Sequence, residues 1–172
     1  AAEQLESMGC QVFRVVRPDS PGLSSLREAG KEVLTANLEN ISSLERMPEL
    51  AEGADAWLHL GWEGAGSANR QNPELQAKNI GYAMAALKTA ACLGCKRFLF
   101  SGSQAEYGIC DGLMREDMDC HPVSEYGKDK LKVCHQASEL AEKLNVEYLH
   151  CRIFSVYGPG DHPWSLVSTC VD

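Results

Sequence analysis

Basic residues are scarce in this chain: 16 Lys and Arg stand against 24 Asp and Glu, a net charge of −8 over 172 residues. The few cations are scattered rather than striped. A nucleic-acid backbone, whose binding draws on released counterions, is therefore not an expected partner. Long apolar runs are missing as well: none reaches the ~20 residues that span a bilayer. The first residues also lack the charged-then-apolar pattern of a secretory leader. A cytoplasmic protein with no membrane partner is the expectation.

The eight cysteines do not make up a framework. Cys92 and Cys95 form one C-x-x-C with no second pair, and Cys120-His121 and Cys134-His135 repeat no ligand spacing. Free thiols in or near apolar stretches are expected, with no zinc site and no disulfide scaffold. A phosphate-cradling glycine turn is missing too. Gly61, Gly64 and Gly66 read G-x-x-G-x-G rather than G-x-G-x-x-G, and ten residues separate the strand from the next helix start at Asn72. That stretch suits a loop lining a cofactor better than one holding its phosphates.

What the chain does have is alternation. Residues 1–9 read as the last turns of a helix, stopped by Gly9. QVFRVVRP (11–18), EVLTANL (32–38), ADAWLHLG (54–61), KRFLFSG (96–102) and VEYLHCRIF (146–154) read as short, largely buried strands. Between them lie a turn with a short helix (19–31) and a helix over 41–53. Two long helices follow: 73–94, capped by Asn72 with Pro73 in first position, and 124–145, capped by Ser124. Strands alternating with helices specify βαβ units, hence α/β architecture: a Rossmann-type, doubly wound parallel sheet with helices on both faces. A single domain over 1–172 is expected. The opening helix has no strand and glycine turn before it, so the sheet is expected to lack its first strand, and a C-terminal substrate region to lie outside the chain.

Ligands of such sheets bind past the carboxyl ends of the strands. Arg17, Asn37, the Gly61–Gly66 loop, Ser103 and the Tyr157–Gly160 loop all fall at strand ends and should converge on one edge. Tyr126 and Lys130, four residues apart on one helix, share a face. A phenol is a poor base at neutral pH unless a neighbouring ammonium favours the phenolate. Tyr126, Lys130 and a Ser103 hydroxyl just past a strand are therefore the parts of an acid–base site for a hydroxyl or carbonyl. Arg17 either accommodates a 2′-phosphate, which favours NADP over NAD, or is a solvated surface arginine. Asn37 either bonds an adenine edge or caps the segment after it.

The chain resembles the extended short-chain dehydrogenases/reductases, specifically the NAD(P)-dependent sugar-nucleotide epimerase/dehydratase group. The resemblance rests on A-N-L at 36–38, H-L-G-W at 59–62, the helix carrying Asn79, S-G-S-Q-A-E-Y-G at 101–108, Y-G-K-D-K at 126–130 and R-I-F-S-V-Y-G-P-G-D at 152–161. It implies Ser103, Tyr126 and Lys130 as the catalytic set, with Lys130 also on the nicotinamide ribose. It implies Asn37, Leu38, Leu60, Gly61, Trp62 and Asn79 around the cofactor, and Ser103, Gln104, Ser155 and Tyr157 on the substrate side. The group usually has an asparagine where Ser155 stands. Its 4,6-dehydratases carry Asp-Glu where Gln104 and Ala105 stand, which disfavours dehydration. The expected activity is 4-keto reduction or epimerisation of a nucleotide-linked sugar with NADP, or alternatively NAD. Helices 73–94 and 124–145 would suit a homodimer contact. Two other readings are a non-catalytic dinucleotide-sensing or scaffolding protein and a reductase of non-sugar carbonyls.

Overall fold

The computed structural model describes residues 1–158 and 169–170. In chain order the regular elements are α1 (Ala2–Ser7), β1 (Arg14–Val16), α2 (Leu23–Glu28), β2 (Val33–Thr35), β3 (Ala56–His59), α3 (Pro73–Cys92), β4 (Arg97–Ser103), α4 (Glu125–Leu144) and β5 (Glu147–Ile153). The Tyr157–Asp161 motif beyond Gly158 lies outside the described residues. Among the described residues no helix is long and apolar enough to cross a membrane.

The caps read from the sequence set the two long helices. The Asn72 side chain accepts from the Leu75 N–H at 3.1 Å, and Pro73, with no N–H to leave orphaned, opens α3. The Ser124 hydroxyl accepts from the Gly127 N–H at 3.0 Å to open α4, which Asn145 closes at φ 54°. The expected helix over 41–53 does not form. Its place is taken by two 3-10 segments, Leu38–Arg46 and Pro48–Leu50, separated by an extended Met47 at φ −78° and ψ 126°. Pro48 supplies the reason: it has no N–H for a helical ladder, and it drives the residue before it out of the helical region.

All strand pairing is parallel, in two blocks: β1 beside β2, and β3-β4-β5. This is the pairing left when the first strand is omitted from a sheet of order 3-2-1-4-5-6. One face of the larger block carries two rows across the strands. Trp57, Phe98 and Tyr148 form one, with ring centroids 6.3 Å apart at each step. His59, Phe100 and His150 form the next, at 5.5 and 5.4 Å. The small and aliphatic residues of α3 and α4 (Ala83, Ala86, Leu87, Ala90, Val133, Ala137, Ala141) bury this face. Leu34, Ile41, Leu44 and Leu50 extend the same core to the β1–β2 block, so the two blocks are joined through side chains rather than a strand ladder.

Leu44 has no exposed surface. Leu44→Ala should cost about 2–4 kcal/mol by loss of transfer energy plus a cavity, read from urea unfolding. A cost below ~1 kcal/mol would show that the 38–50 segment does not share the common core.

Candidate active site

Strand β4 ends at Ser103, and the backbone turns at once into a short 3-10 segment, Gln104–Glu106. The Ser103 hydroxyl accepts from the Ala105 N–H at 3.2 Å, while the Ser103 N–H donates to Glu106 Oε1 at 2.7 Å. This reciprocal capping box fixes the serine at the strand end. Helix α4 approaches the turn so closely that a Cβ on Gly127 would lie 2.4 Å from the Ala105 carbonyl oxygen. Glycine after Tyr126 is what lets the Y-x-x-x-K face reach the end of β4.

Tyr126 is 8% exposed and Lys130 only 2%. The Lys130 ammonium donates to the Ser101 carbonyl and stands 4.1 Å from the Trp62 ring centroid, 4.6 Å from that of Phe100 and 5.6 Å from that of Tyr126. Those aromatic faces offset part of the lost hydration. Burial pushes the Lys130 pKa down to about 7, with Glu106 pulling in the other direction. His59, stacked between Phe98 and Phe100, is pushed to about 4 by burial and then by Lys130, so it is neutral at neutral pH.

Ser103, Tyr126 and Lys130 line one open cleft of about 660 Å³ together with Leu60, Trp62, Gln104 and Ser155. Seven of the residues read from the sequence thus meet in one place. Arg70 joins them: it donates to the Ala65 carbonyl at 2.9 Å and lies over the Tyr126 ring at 4.9 Å. Among the described residues no carboxylate lines the cleft, although the chain carries net charge −8. A local excess of cations in an acidic protein suits an anionic ligand.

The remaining residues lie outside this cleft. Arg17 is exposed, 3.7 Å from Asp19. Asn37 closes a capping box with Asn40 at the start of the Leu38–Arg46 segment, its N–H donating to Asn40 Oδ1 at 2.9 Å. Leu38 packs on Gly61, where a Cβ would come within 2.9 Å of it. Asn79 holds the loop after β3 by accepting from the Glu63 N–H (2.7 Å) and donating to the Glu63 carbonyl (3.0 Å). Tyr157 is 69% exposed.

Besides Arg70, two residues that support the site escaped the sequence reading. Gln76, fully buried, accepts from the Trp62 indole N–H at 2.8 Å and donates to the Gly64 carbonyl at 2.9 Å, so it orients the ring that Lys130 faces. Glu106, also fully buried, sits behind Ser103. Trp62 and Gln76 lie 14 residues apart with no local pattern to link them. The S-x-x-E spacing of Ser103 and Glu106 was a usable signal.

The depressed Lys130 value has a consequence for stability. Below pH 7 the ammonium is present folded and unfolded, and the native state bears the full cost of burying it. As pH rises from about 7 towards the ordinary 10.5, that cost disappears and stability climbs. Lys130→Met should therefore stabilise the protein by about 2 kcal/mol at pH 6 and flatten this pH dependence. A lower melting temperature for the variant at pH 6 would refute the assignment.

Residues 1–171 match the profile of the NAD dependent epimerase/dehydratase family. An uncharacterized UDP-glucose epimerase of Bacillus subtilis is 29% identical over 73% of this chain and 40% of its own length. A probable UDP-glucuronate 4-epimerase of Rhizobium meliloti is 26% identical over 80% of this chain and 41% of its own. The chain thus aligns with about two fifths of the length of these curated relatives. A crystal structure of a putative epimerase from Burkholderia cenocepacia superimposes with a TM-score of 0.80 at 24% identity, over 99% of this chain and 54% of that one. A UDP-glucose 4-epimerase from Thermotoga maritima does so at 0.78 and 23%, over 95% and 53%. With its parallel strand blocks, strand-end serine and Y-x-x-x-K helix, the chain belongs to the NAD dependent epimerase/dehydratase family.

Proposed function

We propose that the whole protein is an NAD(P)-dependent epimerase or 4-ketoreductase of a nucleotide-linked sugar, and that this chain supplies its proton-transfer groups. One observation carries the reading: Ser103, Tyr126 and Lys130 line a single cleft that, among the described residues, Lys130 and Arg70 face and no carboxylate does. Such a cleft suits the diphosphate of a nucleotide sugar and that of a dinucleotide alike. The relatives named for UDP-glucose and UDP-glucuronate support the same substrate class.

In this reading Tyr126 exchanges a proton with the sugar oxygen, and Ser103 holds that oxygen by hydrogen bond. Lys130, 5.6 Å from the Tyr126 ring centroid, bonds the nicotinamide ribose. The bound nicotinamide supplies hydride chemistry. The residues at the reacting end fit it: Leu60 and Trp62 border the space that Tyr126 and Lys130 face, Gly61 between them packs on Leu38, and Gln76 and Asn79 hold that loop by hydrogen bonds. Leu38 and Asn37 stand on the adenosine side. A glycine turn for the pyrophosphate does not occur among the described residues. Arg17, exposed at the exit of β1, favours a 2′-phosphate and hence NADP, whereas epimerases of this fold from Brucella ovis and Bacillus cereus were crystallised with NAD. Gln104, Ser155 and Tyr157 stand on the substrate side. Gln104 and Ala105 offer no acid or base for removing water, and Glu106 is buried away from the cleft, so dehydration is not proposed. Two copies pairing through α3 and α4 complete the proposal.

The test supplies the whole protein with UDP-glucose, UDP-glucuronate and nucleotide 4-keto sugars, with NAD and NADP in parallel. Turnover should appear on at least one sugar, and Tyr126→Phe should lower kcat by ~10²–10⁴-fold with little change in KM. Turnover confined to small non-sugar carbonyls would move the protein to a different reductase class. Tight dinucleotide binding with no turnover on any substrate would make it a sensor or scaffold.

A further inference from the structure

On the covered face of the sheet, the rows of rings stop at Gly102. The next position across β4 and β5 is Gly102 beside Arg152, where a Cβ on the glycine would lie 2.7 Å from Glu106 Oε1 and 2.4 Å from His150 Nε2. The missing side chain is the space into which Glu106 folds. Its carboxylate has no exposed surface and is held from three sides: the Ser103 N–H at 2.7 Å, His150 Nε2 at 2.9 Å from both oxygens, and Arg152 Nε at 3.1 Å. Arg152 in turn donates to the Tyr107 hydroxyl and the Glu116 carbonyl, each at 3.2 Å, and His150 Nδ1 shares a hydrogen bond with the Tyr148 hydroxyl at 2.7 Å. This much polar anchoring beneath one serine exceeds what a turn needs.

We propose that Glu106 is a positioning residue: it clamps Ser103 from behind, and its charge balances the Lys130 ammonium across the layer beneath the cleft. The proposal rests on the functional reading above for the roles of Ser103 and Lys130, and it adds a residue that touches neither substrate nor cofactor. The groups facing Lys130 are few. His59 on β3 is neutral, Tyr126 is on the same helix, and Asp129 is turned away to Lys132 at 2.7 Å. Among the described residues, Glu106 is the carboxylate whose charge favours the ammonium of Lys130. Burial alone would raise the Glu106 pKa; the bonds from His150, Ser103 and Arg152 outweigh it and hold the group below the usual carboxylate range, hence ionised. Both groups are almost wholly buried, so the medium around them screens that charge weakly and the ammonium gains from it.

The decisive measurement is an NMR titration of lysine side chains in this chain, with Lys130 assigned by Lys130→Arg. Glu106→Gln, equal in size, should lower the Lys130 titration point by roughly one pH unit or more. Arg152→Gln removes a cation from the same layer and should leave that point unchanged or raise it. An unmoved Lys130 in Glu106→Gln would overturn the proposal. So would a fall in both variants, because any disturbance of the network would then suffice. If Glu106→Gln does not fold, Glu106→Gln/Arg152→Met is compared with Arg152→Met, since removing both members of a buried pair is tolerated better than removing one. The same fall of about one unit between those two is expected, and no fall overturns the proposal. In the whole protein, the lysine-dependent limb of the kcat/KM pH profile should move with the titration. An enzyme inactive on every nucleotide sugar would sink the functional reading while leaving the titration to decide the role of Glu106.

Discussion

A lysine with 2% of its surface exposed dictates much of what surrounds it. Removing an ammonium from water costs several kcal/mol unless dipoles, rings or an opposite charge replace the lost hydration. Lys130 receives all three: the Ser101 carbonyl at the end of β4, the rings of Trp62 and Phe100, and the field of Glu106. Each partner brings its own requirements. Trp62 is oriented by Gln76, Glu106 needs Gly102 and Arg152, and the approach of α4 needs Gly127. The result is a charged group held ready at a strand end, at a standing cost in stability of the kind functional sites carry.

The features readable in the sequence were those written locally. Helices α3 and α4 begin where Asn72-Pro73 and Ser124 place them, because caps act within four residues. The strands could be read from their β-branched and aromatic content, and parallel pairing from their alternation with helices. The stretch after β2 misled, since its apolar spacing suits a helix while Pro48 breaks the backbone ladder. Side-chain pattern and backbone chemistry disagreed there, and the backbone prevailed.

At the site the same division holds. Ser103, Tyr126 and Lys130 could be found from spacing because one strand end and one helix face carry them. Gln76 could not, since its partner Trp62 is fixed by how a loop folds back on α3. Glu106 lay between these cases. Its pairing with Ser103 is local and legible, but the partners that make it a buried anion, His150 and Arg152, come from β5 more than forty residues on. Their alternation along that strand reads as polar and surface-facing until the opposite face is known to be the open one, with Leu58 41% and Leu149 37% exposed.

The division of the strands into two blocks bears on how the molecule comes apart. Residues 55–153 hold β3, α3, β4, α4 and β5, each adjacent in sequence to what it packs on, and they contain both aromatic rows and the lysine site. Among the described residues the β1–β2 block is attached by side chains: Phe13 and the apolar residues of the 34–50 stretch on the common core, and Glu39 and Glu45 hydrogen-bonded to Tyr82 and Thr89 of α3. Units joined by side-chain contacts without a shared ladder open separately. Among the described residues, opening the β1–β2 block breaks side-chain contacts and no hydrogen bond of the β3-β4-β5 ladder, so in this chain its amide protons are expected to exchange first. The residues proposed for the adenosine half of a dinucleotide, Arg17, Asn37 and Leu38, lie in or beside the two-stranded block, and those proposed for the reacting end lie in the three-stranded one.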